Sequence, residues 1–152
     1  MRAQQRKMKT LMMAFCTIIV ATFLAYSDAY LTEAAIIKTQ QMLKSVCLKK
    51  HAVPEDTFVK CKNGEFANDE TLKCYFACTL KTMQLVSPKG ILEKKPFADK
   101  MRMLSPPSIM EVILPAIEQC TDKDVGNVCE NAFNFMKCSY EVNSKTMNYF
   151  PI

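Results

Sequence analysis

The sequence predicts an all-α domain of about six helices tied together by disulfides, and three observations carry that expectation. The first is cysteine spacing: Cys47, Cys74, Cys78, Cys120, Cys129 and Cys138 are separated by 26, 3, 41, 8 and 8 residues. A Cys-x-x-x-Cys pair sets both sulfurs on one helix face, one turn apart. An eight-residue gap is nine steps of about 100°, which ends half a turn off and points the two sulfurs to opposite sides. The second is texture: glycine occurs only 3 times, strand-like alternation is rare, and the 11 methionines suit helices around an adaptable apolar interior. The third is the start of the chain, which reads as a secretory leader and so places the cysteines in an oxidising compartment.

The leader is residues 1–29. Arg2, Arg6, Lys7 and Lys9 form a basic segment, and Leu11 to Ala25 is an uncharged, mostly apolar run of 15 residues. Ser27 and Ala29 place small residues at the −3 and −1 positions of a cut after Ala29, and a cut after Ser27 is an alternative. A membrane span needs about 20 apolar residues, more than this run supplies. Cys16 lies inside the leader and would be lost with it. Removing the leader's four basic residues and Asp28 from the totals of 20 and 15 leaves 16 basic against 14 acidic, or +2. A near-neutral domain of residues 30–152 is a poor partner for nucleic acid or an anionic membrane.

The elements follow in order. Thr32 starts the first helix, with Ile36, Ile37, Met42, Leu43, Val46 and Cys47 recurring at helical spacing up to Lys49 and Lys50. His51 to Val53 is a connection, and Pro54, Glu55 and Asp56 open a short helix that ends before Gly64. Asn68 is the expected N-cap of the next helix, which carries Leu72, Tyr75, Phe76, Leu80 and Met83 and ends near Ser87-Pro88. Residues 88–96 read as a polar linker, and Phe97 to Leu104 as a short helix. Ser108 and Glu111 match a capping box before the stripe Met110, Ile113, Leu114, Ile117 and Cys120, while Pro115 predicts a kink or a split. A last helix spans about Val125 to Val142, with Cys129, Ala132, Phe135, Met136 and Ser139 on one side. The tail Ser144 to Ile152 ends Tyr149-Phe150-Pro151-Ile152.

Helix geometry excludes two pairings. Cys74 and Cys78 sit about 5–6 Å apart at Cβ, too far for a bridge that wants about 3.5–4.5 Å. Cys129 and Cys138 are about 13 Å and half a turn apart, so each needs a different partner. Geometry leaves the remaining connectivity open. In its six-cysteine signature, with the three-residue second gap and eight-residue last gap, the chain resembles the insect odorant-binding and pheromone-binding protein family over residues 47–138. The resemblance implies first-to-third, second-to-fifth and fourth-to-sixth pairing: Cys47–Cys78, Cys74–Cys129 and Cys120–Cys138. It also implies helices around an apolar cavity and a secreted, extracellular carrier. Such a carrier binds a small hydrophobic ligand, without a cofactor, and takes it through aqueous lymph toward a chemosensory receptor. Cys61 falls outside the signature. It is an inert buried thiol, a bridge between two chains or a partner in reshuffling with the signature cysteines, so a monomer and a weak or Cys61-linked homodimer are both open.

The remaining chemistry is apolar. His51 is the only histidine, and no nucleophile elbow, phosphate loop or metal-spaced Cys/His set accompanies it. His51 is a solvated loop residue or a pH sensor. The inner helix faces supply candidate ligand contacts at Phe76, Leu80, Met83, Leu104, Met110, Ile113, Leu114, Ile117, Phe135 and Met136. Ser139, or Tyr75 or Tyr140, would offer a polar contact, and Phe150 with Tyr149 and Ile152 would close the cavity as a lid over 144–152, its end carboxylate meeting a buried polar group. The opposite expectation for the tail is a frayed terminus. Two rivals keep different functions open: a same-fold carrier of hydrophobic hormones or host compounds outside sensory tissue, and a disulfide-rich interaction protein with a packed core and no cavity.

Overall fold

A computed structural model describes residues 12–19 and 30–152. Residues 12–19 are helical, and Met12, Met13 and Phe15 in them are exposed. The basic segment at 1–11 and the cleavage positions Ser27 to Ala29 lie outside the described residues. After residue 30 come six α-helices: α1 (Glu33–Leu48), α2 (Glu55–Lys62), α3 (Glu70–Thr82), α4 (Lys94–Leu104), α5 (Pro107–Cys120) and α6 (Val128–Val142). A 3-10 helix, Ser144–Tyr149, follows them. No strand occurs among the described residues, and no helix there is long and apolar enough to cross a membrane.

Helix starts follow side-chain chemistry. Thr32 caps α1 by accepting the Ala35 amide, Asp69 caps α3 through Leu72, and Asn127 caps α6 through Glu130. Asp69 thus replaces the expected Asn68, because a carboxylate one residue nearer the helix reaches the orphan amide. The last helix begins at Val128, not Val125, for the same reason at Asn127. Helix α4 starts at Lys94, inside the segment expected to be a linker. Pro96 occupies its first turn, where the missing N–H has no partner to lose. The Ser108–Glu111 capping box does not form: α5 opens with Pro107 in its first position, where a fixed φ suits helix. Pro115 neither ends nor divides α5, which runs unbroken to Cys120. The helix is held by burial of Ile113, Ala116, Ile117 and Cys120 on both sides of the proline.

Helix ends also have local causes. In α2, Gly64 adopts φ 88° while its amide and that of Glu65 bond back to Cys61 and Lys60. This is a Schellman ending, and glycine is needed twice over, because a Cβ there would lie 2.6 Å from the Tyr140 ring. In α3 the same ending is built with Gln84 at φ 56°, its amide bonding Lys81 and the Leu85 amide bonding Leu80.

The core is the seam of α3 against α6. Leu72, Tyr75, Phe76 and Leu80 from α3 meet Ala132, Phe135 and Met136 from α6, all buried. Phe76 and Phe133 stack at 6.5 Å, with Phe66 set edge-on to Phe133 at 6.2 Å. Helix α1 packs on α3, and α4 and α5 close the other side, with α5 also against α6. Three disulfides lock this arrangement. Cys47–Cys78 joins α1 to α3, Cys74–Cys129 joins α3 to α6, and Cys120–Cys138 joins the end of α5 to α6. Cys129 and Cys138 leave α6 for different helices, as the half-turn offset requires. The loops closed span 31, 55 and 18 residues. By loop entropy each bridge contributes about 3–4 kcal/mol.

Candidate functional site

Two apolar hollows lie side by side within the helices. The inner one is a narrow cavity of about 20 Å³. Its walls are Leu85, Phe97 and Met101, then Ile113, Ala116 and Ile117 of α5, then Phe135, with Met83, Thr146, Tyr149 and Phe150 completing them. That volume is about the room one water needs, and walls this apolar would leave it dry. The outer hollow is a pocket of about 220 Å³ between α1, α4, the start of α5 and the tail. Leu31, Ile36, Met42 and Leu43 form one wall, and Leu104, Ser105 and Ile109 the opposite one. Met83, Met101 and Tyr149 line both hollows and so form the partition between them.

The sequence patterns behind this geometry are helical stripes. Phe97, Met101 and Leu104 follow each other at i, i+4, i+7 along α4, and Ile36 and Leu43 at i, i+7 along α1. The polar groups of the outer pocket are tied to backbone carbonyls. Thr39 Oγ1 donates to the Ala35 carbonyl at 2.8 Å, Thr82 Oγ1 to Cys78 at 2.8 Å, and Gln40 Nε2 to Asn148 at 3.0 Å. A carbonyl only accepts, so each of these groups has spent a donor and keeps acceptor capacity.

Of the residues expected to contact ligand, Met83, Leu104, Ile113, Ile117, Phe135 and Phe150 line one or both hollows. Phe76, Leu80, Met110, Leu114, Met136 and Ser139 line neither. Phe76, Leu80 and Met136 are consumed by the α3–α6 seam, and Met110 is buried on α5. Leu114 packs against the core from its edge. Ser139 is fully buried, and its Oγ has no hydrogen-bond partner. Its carbonyl instead accepts from Thr146 Oγ1 at 3.1 Å, which anchors the tail. Met101, Ile109 and the α1 wall are pocket residues that the sequence does not single out, while Tyr149 lines both hollows from the tail expected to act as a lid. The α1 stripe was visible, but nothing local says whether a stripe faces core or cavity.

The tail is folded onto the domain rather than frayed. Thr146, Met147 and Ile152 are buried, and Phe150 meets the Phe135 ring edge-on at 6.0 Å. Tyr75 donates its hydroxyl to the Pro151 carbonyl, so the buried polar contact is made one residue before the Ile152 carboxylate. Burial, reinforced by the Glu55 charge, holds the Tyr75 phenol well above its ordinary pKa. Tyr75 is therefore not a free polar contact for a ligand, and Tyr140 is taken up against Gly64 and Phe66.

Cys61 is free and fully buried on α2, and burial pushes its thiol up to about 11. A bridge through it to a second chain would require opening the core. Among the described residues, the cluster Glu70, Cys74 and Cys129 has metal-ligand proximity, but its two sulfurs are the Cys74–Cys129 bridge and offer no thiolate. His51 sits in the α1–α2 connection and lines neither hollow.

The same helical fold occurs in known proteins. The family model described as the PBP/GOBP family matches residues 29–142. The chain belongs to that family. Its fold superposes with TM-score 0.69 on the crystal structure of odorant binding protein 4 of the predator Chrysopa pallens. That protein is 32% identical to it, over 76% of this chain and 96% of that one. General odorant-binding protein 72 of Anopheles gambiae is 26% identical over 117 residues, covering 76% of this chain and 96% of that one. Odorant binding protein 7 of Anopheles gambiae, solved with four disulfide bridges and an azo compound, shares the fold with TM-score 0.66 at 17% identity. It covers 80% of this chain and 98% of that one. Within this family frame, Cys61 is the cysteine outside the three bridges of the domain.

Proposed function

We propose that the protein is a secreted, non-enzymatic carrier that takes up small hydrophobic ligands such as odorants. It would hold them in the outer pocket and carry them through aqueous lymph toward chemosensory receptors. The observation that carries this reading is the outer pocket itself. About 220 Å³ of open space walled by Leu31, Ile36, Leu43, Leu104 and Ile109 is kept from collapse by cross-linked helices. Open apolar space of this size has a cost in lost packing that a purely structural protein would avoid. Membership of the PBP/GOBP family, and odorant-binding relatives matched along nearly their whole length, support it. A family match that starts at residue 29 also supports residues 1–29 as a leader removed from the domain at 30–152.

Of the expected contacts, Met83 and Leu104 touch the ligand directly in this reading, and Ile113, Ile117, Phe135 and Phe150 form the wall behind them. Residues 144–152 act as the closing segment. The domain works as a monomer, with Cys61 sealed inside α2 and inert. The test is uptake of a hydrophobic fluorescent probe by the domain at 30–152. Saturable enhancement, reversed by apolar odorants and weakened at least tenfold in Ile109→Asp, is the expected result. Probe binding that is absent, or unaffected by Ile109→Asp in a folded protein, would discard the reading.

A further inference from the structure

We propose that Met83 and Met101 form a movable partition that sets the length of ligand this site accepts. A linear ligand would lie with its polar end in the outer pocket and pass its hydrocarbon end between the two methionines into the inner cavity. The proposal rests on the carrier reading above and deepens it by naming the two side chains that limit the length of a straight-chain ligand.

Three observations lead there. First, the two hollows are not independent, since Met83, Met101 and Tyr149 line both. Second, the inner cavity at about 20 Å³ is too small for any organic ligand, yet it is walled by large apolar side chains that gain little from leaving it empty. Displacing two side chains would join it to the 220 Å³ pocket. Third, the partition is built from residues able to move. Methionine has three rotatable bonds and an unbranched, polarizable chain. Met83 and Met101 are both only half-buried, while Phe135 and Ile117 behind them are locked in the core. Met83 also sits at the C-cap of α3, beside the turn at Gln84, where no further helix follows to pin it. The outer pocket's polar groups keep acceptors at Thr39, Thr82 and Gln40, a second amide N–H at Gln40 and a hydroxyl at Ser105, and so suit a ligand end that both donates and accepts, as a hydroxyl does.

The test is displacement of the fluorescent probe by 1-alkanols from hexanol to tetradecanol. In the wild type, affinity should rise about fourfold per methylene while the outer pocket fills, then break to a shallower rise where each added carbon must displace the methionines to enter the inner cavity. Met101→Ala should carry the full rise about three carbons further, the length of the side chain removed. Met83→Ala, on a different helix, should move the break in the same direction, and Met101→Leu should leave it near the wild-type position. A wild-type series with no break, or a break that stays in place in whichever alanine variant folds, overturns the partition while leaving the carrier reading intact. If no alkanol displaces the probe because the probe itself does not bind, the carrier reading falls and the partition with it.

Discussion

At the scale of single residues, Cys61 has a chemistry set by its surroundings. A thiol in an oxidising compartment is a hazard, because it can exchange with neighbouring bridges. Only the thiolate attacks, and burial raises the Cys61 pKa from 9.0 to about 11. The neutral form is therefore the one the fold favours. Its contribution to stability is full below about pH 9 and is lost as pH rises through about 11. In the native domain at about pH 8, a thiol reagent should label Cys61 only as fast as the core opens, and denaturant should release it at once. Rapid labelling in the native state would contradict the packing described. Gly64 makes the complementary point about backbone. Its positive φ and the Tyr140 ring against its Cα leave no room for a side chain, so Gly64→Ala should lower stability by about 1–2 kcal/mol or more in thermal unfolding.

At the scale of elements, the α3–α6 seam combines a covalent and an ionic tie at one end. Lys73, only 9% exposed, is paired with Glu130 beside the Cys74–Cys129 bridge, and its ammonium lies 5.7 Å from the Phe133 ring centroid. Such a pair repays its own desolvation and little more; without Glu130 the buried Lys73 ammonium keeps only Glu70 at 3.9 Å, whereas without Lys73 the Glu130 carboxylate still reaches water. Glu130→Gln should therefore destabilise by about 1–2 kcal/mol, a figure reduced because Glu130 is 31% exposed. Lys73→Met should be close to neutral, since the Phe133 face accepts an apolar chain. Equal losses from both variants in urea unfolding would assign the pair a net attraction that this account denies. The ends of α3 and α2 show the same economy in backbone terms. Both helices stop in Schellman turns, and the one at Gln84 hands the chain to Leu85 in the inner cavity wall.

At the scale of the molecule, the tail adds a wall to both hollows of the helical bundle. Residues 144–152 touch α6, α5 and α2, and their anchors are the Tyr75 hydroxyl to Pro151, Thr146 to Ser139 and Gln40 to Asn148. Two of these three tie the tail to helices α1 and α3, across the outer pocket from α5. Deleting 144–152 removes Tyr149 and Phe150 from the hollows and exposes the Tyr75 ring. Probe affinity should fall and dissociation accelerate by about tenfold or more, while helical circular dichroism is retained because the three bridges remain. Unchanged affinity would remove the tail from any part in holding ligand. Ionising Tyr75 would have the same effect as weakening this anchor. Its phenol is held protonated by burial, so the contact persists through neutral pH and is lost only at strongly alkaline pH.

The sequence by itself determined the class, the number of helices and the family, because those depend on local and additive signals. Cysteine gaps report helix phase, and apolar spacing reports period. Caps and ends shifted by a residue or a turn where two adjacent groups compete for one orphan amide, as at Asn68 and Asp69, or where a proline favours the first turn, as at Pro96 and Pro107. Tertiary structure alone decided which apolar stripe faces a neighbour and which faces space. Phe76, Leu80 and Met136 carry the same pattern as Met83 and Ile113, yet the first set is packed in the α3–α6 seam and the second borders a void, with Phe135 at the edge of both. A side chain's periodicity names its face, but whether that face is core or cavity depends on how far away the opposing helix sits, and that distance is a property of the assembled bundle.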